Sequence, residues 1–255
     1  VWINAGARVT ATATVDLGSG NYGSTSEFAA NRTATSTGIV VVDTTSDVSD
    51  GTTTSITNLG NNRGADGFIS LREAITAANN TAGTDRILFN IAGTGVHTIT
   101  PATALPTITG AVIIDASTDD SFVANGNKPA IVIDGNNLNV DGLVLSNTAD
   151  SSTIRGFVIR DFGKSGIWVQ SDSDNNTIAG NYLGRLNASG IDAGAGEGNG
   201  AAGIWVQGSN NTIGGTGALD RNVLSGNGTS GLGFGGGSGN FALGNYIGVD
   251  AGGST

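Results

Sequence analysis

Apolar residues recur along this chain in short bursts set off by glycine, asparagine and other polar residues. Residues 9–15 read VTATATV, small residues alternating with β-branched ones, the pattern of a half-buried strand. Residues 38–42 read GIVVV, a continuous run that suits a fully buried strand, and the GSGNYG stretch at 18–23 between them is turn chemistry. From residue 86 the bursts follow one another closely: RILFNI, HTIT, AVIID, AIVIDG, GLVL. One segment has a different period. Residues 70–79 read SLREAITAAN, in which Ser70 and Glu73 form a capping box that satisfies the free amides of a helix start. Leu71, Ala74, Ile75 and Ala78 then share one face. This is the one helix the pattern predicts, and its place ahead of a strand array makes it a lid over the first strands.

The bursts also repeat. TIRGFVI at 153–159 returns 24 residues later as TIAGNYL at 177–183. GIWVQ at 166–170 returns 37 residues later at 203–207, the extra length falling in the Gly/Ala-rich stretch 187–200. NTIAGN at 176–181 is echoed by NTIGG and NVLSGN, and GNYLG at 180–184 by GNYIG at 244–248. A unit near 24 residues that holds about three short strands predicts an all-β fold, a right-handed parallel β-helix with a short N-terminal capping helix. A propeller blade needs about 40 residues, and a sandwich needs no repeat. Corner asparagines are expected to take left-handed backbone and to bond their own ladder. The expected organisation is a strand-rich segment at 1–55, a cap at 56–110 with its helix at 70–79, and β-helix coils at 111–255. The last repeat runs to Thr255 with no helix or polar cap after it. Its strands are expected to continue into further repeats or to associate head-to-tail with another copy.

Composition narrows the function classes. Forty-three glycines with only 3 prolines, beside 38% hydrophobic residues, fit many tight turns between ordered strands rather than disorder. A net charge of −10 argues against nucleic acid, an anionic membrane surface or a polyanionic sugar as partner. Without cysteine there are no disulfides or thiolate sites, and no apolar run approaches the about 20 residues of a membrane span, so no membrane insertion is expected.

The stretch DGFISLREAITAANN at 66–80, followed by NTIAGNYLG, NTIGGTGALDRNVLSGN and GNYIGVDAGG, resembles the SLREAI-type cap and coil repeat of bacterial extracellular parallel β-helix proteins, which are large and adhesin-like. The resemblance spans roughly residues 40–255. It implies a secreted or cell-surface module with a structural or adhesive role, and it brings no catalytic residues with it.

Candidate chemistry is sparse. In each GIWVQ the period of two puts Ile and Val on one face and tryptophan on the other, so Trp168 and Trp205 are expected to stack outside as a ligand-binding ladder that ends at Gly233. The stretch 187–200 is a candidate cover for them. A glycan or surface partner follows as the alternative to a purely structural role, and a polysaccharide lyase-like β-helix is a further one. The run 62–73, NRGADGFISLRE, places Asn62, Asp66 and Glu73 at positions 1, 5 and 12 of an EF-hand-type loop, a candidate calcium site. Asp172 and Asp174 in SDSDN are a second, looser candidate. Catalysis finds little support. The single histidine, His97, lies in a strand with no serine and aspartate grouped with it in sequence, and Asp119 and Asp120 read as a turn. Arg155, Arg160 and Lys164 cluster in RGFVIRDFGK, where the alternatives are a plain solvated face, an Arg160–Asp161 pair, and a set that faces a sugar carboxylate.

Overall fold

The computed structural model describes residues 38–255 and, of the first 37, four short strands; the chain forms two compact units, 1–37 and 38–255. In the first unit Thr12–Asp16 pairs antiparallel with Tyr22–Glu27, and Arg8–Val9 with Arg32–Thr33. The half-burial expected at 9–15 and most of the turn expected at 18–23 lie outside the described residues.

Strands in the second unit fall into three parallel sheets. The first holds Ile39–Val42, Asp85–Phe89, Val112–Asp115, Thr153–Arg155, Thr177–Ala179, Thr212–Gly214 and Phe241–Leu243. The second holds His97–Ile99, Ile131–Leu138, Phe157–Phe162, Tyr182–Gly184, Val223–Ser225 and Tyr246–Ile247. The third holds Leu143–Leu145, Ile167–Val169, Ala202–Val206 and Ser230–Phe234. From Val112 onward the chain visits the three sheets in turn, and each strand pairs with its counterpart one circuit away. Thr153 faces Thr177, the 24-residue offset, and Ile167 faces Ile204, the 37-residue one. The parallel array starts before the boundary expected at 55, because Ile39–Val42 already pairs with Asp85–Phe89.

What stacks inside explains the pairing. Ile87, Ile114, Ile154, Ile178 and Ile213 are in register along the first sheet, and all are fully buried. Ile99, Ile133, Ile159, Leu183 and Leu224 do the same along the second. Each such side chain contributes about 1.5–3 kcal/mol of burial, and a slip by one residue would turn the whole row outward.

Asparagine ladders hold the corners. Asn181 Oδ1 accepts the Phe157 amide at 3.1 Å, Asn222 Oδ1 accepts the Asn181 amide at 3.0 Å, and Asn245 Oδ1 accepts the Asn222 amide at 3.2 Å. Asn176, Asn211 and Asn240 repeat this at a second corner, and Asn199 and Asn227 stack at a third. The bonding matches expectation, and the left-handed backbone falls one position earlier than the bonding residue: on Asn175 and Asn210 before the ladder asparagines 176 and 211, and on Gly180, Gly239 and Gly244 before 181, 240 and 245.

The helix expected at 70–79 forms as α2, Leu71–Asn79, with both arms of its capping box and with Leu71, Ala74, Ile75 and Ala78 buried. It is not alone, as the periodicity suggested. Helix α1, Ile56–Asn61, is capped by Ser55 and packs against α2, and α2 packs on Ile39–Val42 and Asp85–Phe89. Helix α3, Asp120–Ala124, is capped by Asp119, so the Asp119–Asp120 pair starts a helix rather than making a plain turn. Both are too short to show a period. No helix among the described residues is long and apolar enough to cross a membrane.

Over its four middle rows, from Val132 to Val223, the second sheet is buried on both faces. Its outward row of Val132, Val158, Tyr182 and Val223 is covered by Leu186, Ala188 and Ala251, a second small core outside the first. The Gly/Ala-rich stretch therefore lies over the second sheet.

Candidate functional site

Trp168 and Trp205 sit opposite each other on the outer face of the third sheet, with Ile167 facing Ile204 and Val169 facing Val206 on the inner face. Those four aliphatic side chains are fully buried while both tryptophans are half-exposed. The alternation read from GIWVQ is thus what the structure shows, and the stretch 187–200 is not the cover of the indoles.

The two rings nevertheless do not form a face-to-face ladder. Among the described residues the aromatic rings in contact are Phe89 and Phe157. Trp205 instead lies on the backbone of the next strand. A Cβ added at Gly233 would come within 2.3 Å of Trp205 Cζ3, and one added at Gly235 within 2.3 Å of Cζ2. The glycines of GLGFG are the seat of the indole, which is why the ladder ends where it does. Trp168 is fixed differently: its Nε1 donates to Gln207 Oε1 at 2.9 Å. Both rings are immobilised by the neighbouring circuit, which lowers the entropy a ligand must remove on binding.

Beside them is an open cleft of about 280 Å³ lined by Asp141, Lys164, Ser165, Trp168, Trp205 and Gln207. Asp141 Oδ1 accepts the Ser165 amide at 2.9 Å. The second Asp141 oxygen, the Lys164 ammonium and the Gln207 amide nitrogen make no hydrogen bond among the described residues. Sequence reasoning named Lys164 but not Asp141, Ser165 or Gln207. Gln207 was legible, since it lies two residues beyond Trp205, just past the end of the strand, where the period of two carries it to the same side.

The structure does not join the other candidates in the same way. Glu73 is buried, and its carboxylate accepts the Asp50 and Gly51 amides at 2.9 and 2.7 Å and the Ser70 amide and hydroxyl at 2.9 and 3.1 Å. Asp66 accepts from the Phe68 amide, and Asn62 donates to Thr52. Calcium held by these three would have to displace four donors from Glu73. Asp174 accepts the Ser209 amide at 2.6 Å, whereas Asp172 is exposed in left-handed backbone, and the two share no partner. Among the described residues no group of three or more His, Cys, Asp or Glu side chains is arranged to hold a metal ion.

Two expectations about charged groups are corrected. His97 does have an aspartate and a serine in its neighbourhood. Its Nε2 lies 3.9 Å from Asp119 Oδ1, and that same oxygen accepts from the Ser121 hydroxyl. All three are buried, and the serine proton goes to the aspartate rather than to the histidine, which is not the order of a nucleophile triad. Arg160 pairs not with Asp161 but with Asp134 at 2.8 Å and with Glu197 at 2.6 Å. Asp161 falls at a register shift in left-handed backbone, which turns it away, and Asn137 donates to it instead. Burial, then Asp134 and Glu197, push its carboxyl above the usual range.

Comparison with family models, with curated proteins and with solved structures finds no match for this chain.

Proposed function

We propose that residues 38–255 form a right-handed parallel β-helix that serves as a secreted or cell-surface scaffold, and that its adhesive contact is the outer face of the third sheet. The observation that carries this is the rigid presentation of Trp168 and Trp205: two large aromatic rings left half-exposed, each pinned by the circuit after it. Buried isoleucine rows and corner asparagine ladders give such a scaffold its stiffness, because the amides at these corners are satisfied by neighbouring side chains. Half-buried aromatics fixed at the surface beside unpaired polar groups favour a contact role over plain packing.

The test is retention under flow. Beads carrying the full chain are drawn over polysaccharide-coated, protein-coated and bare surfaces. The proposal expects retention on a coated surface that falls when Trp168 and Trp205 are both changed to alanine. Retention no better than that of uncoated beads on every surface contradicts it.

A further inference from the structure

We propose that the cleft beside Trp168 and Trp205 is a subsite for one uncharged pyranose ring of a neutral polysaccharide. The inference deepens the adhesive reading and rests on it. A cleft of about 280 Å³ that is open and walled by two fixed indoles has room for a single ring, not for an extended chain. In the preceding circuit the outward position is Val144, and in the following one Gly233, so the aromatic surface is one step long. A pyranose presents a face of C–H groups, and these rest on an indole as apolar surface.

The polar lining then selects the ligand class. Asp141 offers a free acceptor, Lys164 a free cationic donor and Gln207 a free amide donor, all on one cleft. Adjacent sugar hydroxyls both donate and accept, so one to Asp141 and one to Lys164 would satisfy both groups at once. An apolar peptide side chain would cover them and leave them unpaired, which costs binding free energy. The cleft's own charges cancel, one carboxylate against one ammonium. The chain as a whole carries −10, which repels a polyuronate and is indifferent to a neutral glycan.

Arg155 and Arg160 do not alter this balance. Arg160 is held by Asp134 and Glu197, and Arg155 lies within 4.0 Å of Asp115 and Asp220. Lys164 is the member of that basic cluster left without an ion pair among the described residues.

One ring on such a surface binds weakly, with a dissociation constant on the order of 1 mM, and a polymer gains by avidity when many copies are displayed. The experiment is affinity electrophoresis of the full chain in gels containing galactomannan, mixed-linkage β-glucan or polygalacturonate, with tryptophan fluorescence titrated in parallel. Retardation by at least one neutral polymer and not by polygalacturonate is expected. Trp168→Ala is expected to abolish it, and Lys164→Gln and Asp141→Asn each to weaken it about 3- to 10-fold. Asparagine keeps the acceptor for the Ser165 amide, so that variant tests charge without removing a structural bond. Trp205→Ala uncovers the glycine seat, so its melting curve is read beside its binding.

Retardation by polygalacturonate alone overturns the neutral-sugar assignment, as does retardation that survives Trp168→Ala. No retardation in any gel by folded protein overturns the sugar subsite. If that happens while bead retention still depends on the tryptophan pair, the ligand class fails and the adhesive reading stands. If bead retention fails too, both fall.

Discussion

The outer faces of the second and third sheets are built on the same ladder and end up with opposite fates. On the second, Val132, Val158, Tyr182 and Val223 point outward and are buried, because Leu186, Ala188 and Ala251 fold back over them. On the third, Val144, Trp168 and Trp205 point outward and stay half-exposed, flanked by Lys164, Asp141 and Gln207. Outward-facing apolar residues are therefore not one class here. Where the chain supplies its own cover they are core. Where it leaves them open and immobilises them, they are surface available to something else.

The largest effect that would break this contrast is a charge on the covered face. Val158→Asp puts an unpaired carboxylate into a fully buried outward position, and thermal melting should show a loss of several kcal/mol or no folded protein. Trp168→Gln, at an equivalent outward position on the open face, should melt within about 1 kcal/mol of the parent. Equal losses at both sites would show that the third-sheet face is covered too.

Next in size is the glycine seat. Gly235→Val sets a side chain against Trp205 where even a Cβ would come within 2.3 Å. We expect a destabilisation of about 1–3 kcal/mol and a red-shifted tryptophan emission as the ring is lifted into water. An unchanged spectrum would mean the indole does not lie there.

The corner ladders should respond alike beneath both faces. Asn181→Ala removes the acceptor for the Phe157 amide and the donor to the Ile154 and Ala179 carbonyls. The buried groups left unpaired should cost about 1–3 kcal/mol by denaturant titration, without altering bead retention.

Strands and repeats were legible because their signals are local. A buried isoleucine row writes a period of two into each strand, and the 24-residue offset writes the circuit. The GIWVQ pair disclosed which face its tryptophans take for the same reason. What escaped depended on distant partners. Nothing near Trp205 in sequence says that Gly233 and Gly235 receive its ring, and nothing near residue 187 says that the following loop covers the second sheet rather than the indoles. Glu73 shows the same limit from the other side. Its spacing in NRGADGFISLRE suits a metal loop, but its carboxylate meets the Asp50 and Gly51 amides, more than 20 residues upstream.

Smaller effects come from the latch of the covering loop. Glu197→Gln breaks a partly exposed pair with Arg160 and should cost no more than about 1 kcal/mol, while speeding amide exchange across 187–198. Asp161 titrates beneath the same latch. Its folded carboxyl binds its proton more tightly than in the unfolded chain, so its contribution to stability is full at low pH and is lost as pH rises through the raised value. Asp161→Asn keeps the left-handed backbone accessible and should flatten that part of the stability–pH curve; an unchanged curve would remove Asp161 as its source.

The contrast between the two faces is tested most directly by hydroxyl-radical footprinting of the native chain, read by mass spectrometry at single residues. The structure predicts that Trp168 and Trp205 are oxidised readily while Tyr182 is protected, and that Glu197→Gln raises Tyr182 oxidation without changing that of the tryptophans. Protection of Trp168 and Trp205 to the level of Tyr182 in the native chain would contradict the open aromatic face on which the proposed function stands.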